Sequence, residues 1–284
     1  MTIVRKAIAK DFEKIYPLLK RFENPRLKKK DWKQLFIDHW KSNEGYFGYV
    51  LEDDKIIVGF LGLMFSRRVF SGKEIKFCNI TSWVVDENFR SQSLLLFLPV
   101  RNLKGYTLTI HTPSKETYAV AQKFGFQDLG SHLLIIPPLP SVSNFFTFFE
   151  VEINGNNLSE ILTGENLKAY KAHLPFKCFH IHVKTSMGEC YVIGSRVNRK
   201  KLAFFQVHHL SDSRVFAKFS GRITLAICFK IIAIGVVLDE RFLQENKVML
   251  SAVFPLPYPR VYKSDFLGKN EIDSLYSELP VLNI

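Results

Sequence analysis

The chain is short of cysteine, short of acid relative to base, and has no long uncharged apolar run. Its four cysteines, Cys78, Cys178, Cys190 and Cys228, are scattered without a Cys-x-x-Cys pair. Three of them fall in segments that read as strands or helices, as buried free thiols do, so neither a disulfide nor a zinc site is expected. The longest apolar stretch, Ile223 to Leu238, is interrupted by Lys230 and falls short of the roughly 20 residues a spanning helix needs. No membrane insertion is expected. Arg5, Lys6, Lys10 and Asp11 break up the N-terminal run, which therefore lacks a signal-peptide pattern, and a cytoplasmic location is expected. Paired histidines, His180 with His182 and His208 with His209, have no carboxylate and cysteine set around them in the sequence, so strand packing is preferred to metal ligation.

What is present is apolar and aromatic. In 284 residues, 47% are hydrophobic and 26 are Phe, enough for two domains with real cores and too much for long disordered stretches. Lys and Arg number 39 against 27 Asp and Glu, a net charge of +12. The bases lie in short groups such as Lys28 to Lys30, Arg67 with Arg68, and Arg199 to Lys201, without the aromatic-interleaved motifs of nucleic-acid binders. No nucleic acid is expected as a partner. Collectively these charges favour a phosphorylated small molecule.

Hydrophobic periodicity predicts a strand at Ile3 to Lys6 and a helix capped by Asp11 that carries Phe12, Ile15, Leu18, Leu19 and Phe22. A second helix is predicted from Asp31 to about Trp40. Two strands, Tyr46 to Leu51 and Ile56 to Phe65, are joined at Glu52, Asp53 and Asp54, and a third, Glu74 to Val85, follows the turn at Ser71 and Gly72. The stretch WVVDENFRSQSLLLFL, Trp83 to Leu98, reads as a strand end, an arginine-led polar turn and an apolar helix. Backbone N–H groups of Ser91 to Leu95 in a first helical turn would lack intrahelical partners and sit at the positive end of the dipole, a seat for a diphosphate. Then come a strand, Tyr106 to His111, and a helix, Ser114 to Phe124, closed by Gly125 and Phe126.

This order and this turn resemble the GCN5-related N-acetyltransferase family over about Met1 to Ile136. The family's motif is Arg or Gln, two residues, Gly, one residue, then Gly or Ala; Arg90 fills the first position, while Ser93 and Leu95 stand at the two small ones. The resemblance implies a mixed α/β fold and an acyl-CoA co-substrate. Its pantetheine arm would lie between two parallel strands that splay apart, Cys78 to Val85 and Tyr106 to His111. It implies contacts from Trp83, Val84, Val85, Arg90, Ser91, Gln92, Ser93, Leu94, Leu95, Thr112 and Ser114, with Leu95 turned into the core and the thioester carbonyl near the Val85 amide. Asn79 stands where some relatives carry a catalytic carboxylate, and Ala121 where many carry an acidic tyrosine. The catalytic candidates are therefore Asn79, to orient the amine or a water, Tyr118, as acid or as a packing residue, and His111, as base or as a structural imidazole.

After Pro137, Pro138 and Pro140 the order repeats: a strand Phe145 to Ile153, a helix Leu158 to Lys171 interrupted near Gly164, strands Phe179 to Lys184, Glu189 to Val197 and Leu202 to His209, a helix Ser213 to Phe229, and a strand Ile231 to Leu238. Two tandem domains of the resembled fold are expected, 1–141 binding acyl-CoA and 142–284 a degenerate copy that frames the acceptor, since pockets favour domain junctions. Tyr258, Tyr262, Asp265 and the segment Asp273 to Glu278 are either acceptor contacts or an ordinary surface helix capped by Asp273 or Asn270.

The expected activity is acyl transfer from a CoA thioester to a primary amine, in a monomer or small homo-oligomer without a metal. The expected acceptor is a small molecule, a nucleotide-linked (dTDP-type) amino deoxy sugar for surface polysaccharide. The alternatives are a catalytically retired ligand- or partner-binding module, and transfer to a peptide or small polyamine.

Overall fold

The apolar runs of the first half pair into a sheet whose two faces follow from strand alternation between its bulges. The computed structural model describes residues 2–70, 72–139, 151–199 and 201–284. It forms two compact units, Met1–Leu129 with Arg260–Gly268 and Tyr276–Leu282, and Gly130–Pro259 with Lys269–Leu275 and Asn283–Ile284. They differ from a single cut at 141, because stretches near the C-terminal end are shared out between the two. Both units are mixed α/β.

In the first unit, β1 (Thr2–Lys6), β2 (Gly48–Asp53), β3 (Ile56–Phe70), β4 (Lys73–Val85) and β5 (Tyr106–Ile110) lie side by side in that order. The Arg260–Lys263 end of β12 (Ala252–Lys263) lies beside β5. All neighbours are antiparallel except β4 and β5, which are parallel. Asp54 and Lys55 both take positive φ, so the β2–β3 hairpin turns one residue later than expected, with the twist that suits two-residue hairpins. Leu61, Leu63, Phe65, Cys78, Ile80, Leu108 and Ile110 point to one face, where they bury against Phe97, Ala121 and Phe126. Phe60 points to the other. There it stacks on Phe36, which in turn meets Phe12 of α1 (Phe12–Leu19).

Local chemistry corrects three expected helices in this unit. Asp11 does not cap α1; its carboxylate accepts from the Ile8 amide and from Arg5, which closes a preceding 3₁₀ turn. The second helix is only α2 (Lys29–Trp32) with a 3₁₀ extension, Lys33–Phe36, that ends at extended Ile37. The helix expected after Arg90 is two 3₁₀ segments, Glu87–Leu96 and Leu98–Asn102. Pro99 has no N–H for the Leu95 carbonyl and its ring would clash there, so an α-helix cannot continue through it. By contrast α3 (Lys115–Lys123) forms as expected, with the Ser114 hydroxyl accepting from the Thr117 amide at 3.2 Å.

The second unit repeats the pattern. Its strands are β6 (Gln127–Ile136), β7 (Glu152–Asn154), β8 (Cys178–Thr185), β9 (Gly188–Arg199), β10 (Leu202–Leu210) and β11 (Val236–Asp239), in the order β7-β8-β9-β10-β11-β6. Only β10 and β11 are parallel. The expected strand from Phe145 lies outside the described residues as far as Glu150, and β7 begins at Glu152. Residues 158–173 hold α4 (Leu158–Ile161) and α5 (Gly164–His173), the expected break falling before Gly164. The expected long helix is α6 (Ser213–Lys218) and α7 (Ser220–Ile231), parted at Phe219. Val215, Phe216, Ile223 and Ile227 bury against Val192, Phe205 and Val236. Among the described residues no helix is long and apolar enough to cross a membrane.

Candidate active site at the divergence of β4 and β5

Parallel pairing of β4 with β5 runs from Lys76 opposite Tyr106 to Asn79 opposite Thr109, and there it stops, although β4 continues for six more residues. β5 itself ends one residue on, at Ile110, and β4 bulges soon after. Against β3, Thr81 faces Gly62 and Val84 faces Phe60, so Ser82 and Trp83 together oppose Leu61, and Ser82 takes φ +51°. A non-glycine residue in the left-handed region inside a strand is uncommon, and such bulges twist and bend the strand that carries them. Beyond the bulge the Asp86 amide donates to Val58 of β3 at 2.7 Å. Alternation of the peptide direction then turns the Val85 N–H to the opposite edge, the one facing the gap. Two splayed edges and a fixed backbone donor are what a thioester with an amide-bearing arm requires.

A carboxylate that the strand pattern did not supply stands where the pairing stops. Glu278 opens α8 (Glu278–Leu282), part of the first unit, and is fully buried. The Asn79 amide donates to its Oε2 at 2.5 Å and the Thr112 hydroxyl to its Oε1 at 2.8 Å. Burial pushes its carboxyl above the usual carboxylate range, against the Thr112 and Asn79 hydrogen bonds and the charge of buried Arg260, which pull it down. Thr112 itself is exposed. Glu278 thus lies one hydroxyl below the surface. The sequence does carry a sign of the burial: Leu275, Leu279 and Leu282 are apolar at helical spacing, and that spacing buries the segment, so of the two expectations for it the surface helix is not what forms. Ser274, Leu275 and Ser277 are buried as well.

The structure brings some of the expected site residues together and disperses others. Asn79 is 1% exposed and both ends of its amide are engaged, with Oδ1 accepting from Thr109 at 3.2 Å. It braces Glu278 instead of meeting an acceptor. His111 is buried just past β5, and Thr112 serves the carboxylate. Ser114 is occupied as the cap of α3 and donates to Glu116 at 2.9 Å. The Tyr118 hydroxyl donates to Asp128 at 2.9 Å. That bond raises its pKa and makes it a poorer acid for a leaving thiolate. Trp83, Val84 and Val85 are half-buried at the bulge, with Trp83 stacked on Phe97 at 5.2 Å between ring centroids. Arg90 and Ser91 are exposed, Gln92 and Ser93 half-buried, and Arg90 lies 3.5 Å from Glu87. The expectation that Leu95 turns inward fails: Leu94 and Leu95 are 45% and 39% exposed, and Leu96 fills the core position. The tighter winding of the 3₁₀ segment carries each side chain further round the axis than an α-helix would.

A cavity of about 290 Å³ in the same unit is lined by Asp38, Trp40, Ser42, Tyr46, Phe47 and Met64, among others. Trp40 packs on Tyr276, two residues before Glu278, with ring centroids 5.2 Å apart. Met64 is the register partner of Asn79. The cavity therefore borders the elements that carry the buried carboxylate, and its mixture of aromatic faces and polar groups suits a small polar molecule.

No family model matches the sequence, and no curated protein matches it. Solved structures do match by shape. A GCN5-related N-acetyltransferase from Anabaena variabilis superposes with TM-score 0.56 at 10% identity, over 92% of this chain and 72% of that one. One from Kribbella flavida gives 0.55 at 13%, over 92% and 70%. A GCN5-related glucosamine N-acetyltransferase region of a fungal multi-domain β-N-acetylglucosaminidase gives 0.59 at 10%, over 93% and 38%. At such identities the likeness is one of architecture, and the protein has the GCN5-related N-acetyltransferase fold.

Proposed function

We propose that the protein transfers an acyl group from a CoA thioester to a primary amine, with the chemistry at the divergence of β4 and β5 in the first unit. The observation that carries this is the end of pairing at Asn79 and Thr109 together with a buried carboxylate braced at that point. The residues fit the co-substrate there. Among the described residues β4 has no strand partner on its β5 side beyond Asn79, an edge that suits an amide-bearing arm, and Arg90 and Ser91 of the polar turn are exposed to an anion. The exposed side chains of Leu94 and Leu95 flank it.

The step balances with groups of this chain. An amine arriving as free base attacks the thioester carbonyl, a C–N bond forms, and the negative charge on the carbonyl oxygen is held by the Val85 N–H until the C–S bond breaks. The proton on the new ammonium passes to the Thr112 hydroxyl as that hydroxyl gives its own to the Glu278 carboxylate. The departing thiolate takes a proton from water, since Tyr118 is held by Asp128, and the hydroxide left behind recovers the proton from Glu278 through Thr112, which restores the carboxylate.

For the acceptor, the cavity beside Trp40 supports a compact polar amine, and the net charge of +12 supports one that carries phosphate. A nucleotide-linked amino deoxy sugar meets both conditions. The test is thiol release on incubation with acetyl-CoA and a panel of amines: nucleotide-linked amino sugars, free amino sugars, polyamines and peptides. Turnover with the first group alone supports the whole reading. Turnover with another group overturns the acceptor and keeps the reaction. Saturable CoA binding without any turnover replaces it with a binding module.

A further inference from the structure

A second cavity, about 350 Å³, opens at the other end of β5. Its floor is apolar and buried, with Phe97, Leu108 and Phe126 at 1%, 5% and 4% exposure, and its rim is basic, with Arg101, Lys104 and Lys263 exposed beside one acid, Asp265. Lys263 is tied down, its Nζ donating to the Phe124 carbonyl at the end of α3 at 3.0 Å. Neither Arg101 nor Lys104 makes an ion pair among the described residues, so both cations are available at the mouth. From Tyr106 to Ile110 β5 spans roughly 13 Å, which separates this cavity from the divergence where the thioester is placed.

We propose that this cavity binds a small amphipathic anion, with an apolar body against Phe97, Leu108 and Phe126 and an anionic head, carboxylate or phosphate monoester, between Arg101 and Lys104. A buried apolar floor supplies the affinity for the body, and the exposed cations at the mouth supply the selection for charge. The volume lies within the range of small-ligand sites. The floor also has a reporter. Phe97 stacks on Trp83 at 5.2 Å and 25° between ring planes, and Trp83 sits on the β4 bulge. A body seated on Phe97 therefore changes the surroundings of that indole and reaches the reactive cleft through one aromatic contact.

The experiment is tryptophan emission of the full chain titrated with sodium octanoate, octyl phosphate, octanol and inorganic phosphate. The expected result is a saturable change with octanoate, octyl phosphate or both, at least tenfold weaker binding of octanol, and none of inorganic phosphate. The signal disappears in Trp83→Phe, although Trp32 and Trp40 remain. The double variant Arg101→Glu and Lys104→Glu, both surface positions, weakens anion binding about tenfold or more while octanol is unaffected. Saturating CoA, which meets Trp83 itself, shifts the starting emission but does not compete, leaving the half-saturating anion concentration within about threefold. Octanol binding as tightly as the anions, indifference to the charge reversal, a signal that survives Trp83→Phe, or competition with CoA each overturns the proposal. Since the readout involves no turnover, failure of the acyltransferase reading leaves this result standing.

Discussion

The two units share a sheet plan and differ in what fills the opening in it. Each has four antiparallel strands, a fifth parallel to the fourth, and a sixth antiparallel to the fifth: β1-β2-β3-β4-β5-β12 and β7-β8-β9-β10-β11-β6. The sixth strand of each comes from the other half of the sequence. Each fourth strand bulges soon after its parallel pairing ends, at Ser82 to Trp83 after Asn79 and at His208 after Gln206. In the second unit the chain fills the opening itself. The Ser274 amide donates to the His208 carbonyl at 3.1 Å, Asp273 holds the His209 ring at 3.0 Å, and Ser274 and Leu275 are buried. In the first unit the Val85 edge faces the gap, and a carboxylate braced by two donors stands beside it. A bulge makes a strand opening; what occupies the opening decides whether it can hold a ligand.

The largest expected effect breaks the equivalence of Glu278 and Asp273, the carboxylates near the two openings. Glu278→Gln keeps the shape and can still accept from Asn79 while donating to Thr112, yet it cannot take a proton. Thiol release with the best amine should fall by about 10²-fold or more, the usual weight of a general base. Asp273→Asn should lower kcat by less than about threefold, because His209 serves packing in the filled opening. Equal losses in the two variants would mean that the first opening is no more catalytic than the second.

Acid sharpens the contrast, because Glu278 and His180 respond to it with opposite sign. Glu278 has a folded pKa above its ordinary 4.5, so as pH falls the folded chain takes up that proton before the unfolded one. The stabilisation is complete below 4.5 and is lost as pH rises through the folded value. His180 is depressed from 6.5 to about 4 by burial and by neighbouring His173. There the unfolded chain binds the proton first, so stability is full above 6.5 and falls between 6.5 and 4. Glu278→Gln should raise the melting temperature at pH 7 and lose that advantage in acid. His180→Asn, which can still meet the Tyr191 hydroxyl, should flatten the loss between pH 6.5 and 4. Amide exchange resolved by peptide should place the acid loosening in β8 and β9. Loosening of β4 and β5 first would reverse the assignment.

The individual strands could be read in the sequence, because alternation over β3, β4 and β10 and the run at Tyr106 leave one reading each; the divergence is implied only by the resemblance of the element order and the Arg90 turn. Glu278 could not be read at all. It lies 199 residues from Asn79 in the chain, and no local pattern announces a partner at that distance. The exchange of β6 and β12 is hidden for the same reason: each strand is legible, whereas its neighbour is a choice among many edges. The turn at Arg90 misled through a short-range conflict. A run of Leu94, Leu95 and Leu96 favours an α-helix, and Pro99 forbids its continuation, so the segment winds as 3₁₀ and sends Leu95 outward.

That outward Leu95 supports a smaller prediction on the same comparison. The corresponding segment of the second unit is α6, whose Val215 and Phe216 are buried, so side chains there are needed for packing. On the first unit's turn, Leu95→Gly removes an exposed side chain from the approach to the backbone amides and costs only about 0.5–1 kcal/mol of stability. The KM for acetyl-CoA should drop two- to fivefold with kcat unchanged. A rise in KM would place the anion elsewhere.

The smallest effect is expected at Tyr118, on a helix that has no counterpart after β11, where the chain makes only the 3₁₀ turn Glu240–Leu243. If α3 supplied an acid to the reaction, Tyr118→Phe would lower kcat by an order of magnitude or more and remove the alkaline limb of the pH profile. The geometry argues otherwise. The hydroxyl donates to Asp128 in an exposed setting, a bond worth little beside water, and that bond holds the phenol pKa above its ordinary value, so the group gives up its proton less readily. Tyr118→Phe should therefore leave kcat, KM and the pH profile within twofold of the parent and change stability by no more than about 0.5 kcal/mol. Paired with Glu278→Gln in one preparation series, it separates a cleft that moves protons through Thr112 and Glu278 from one that takes them from α3.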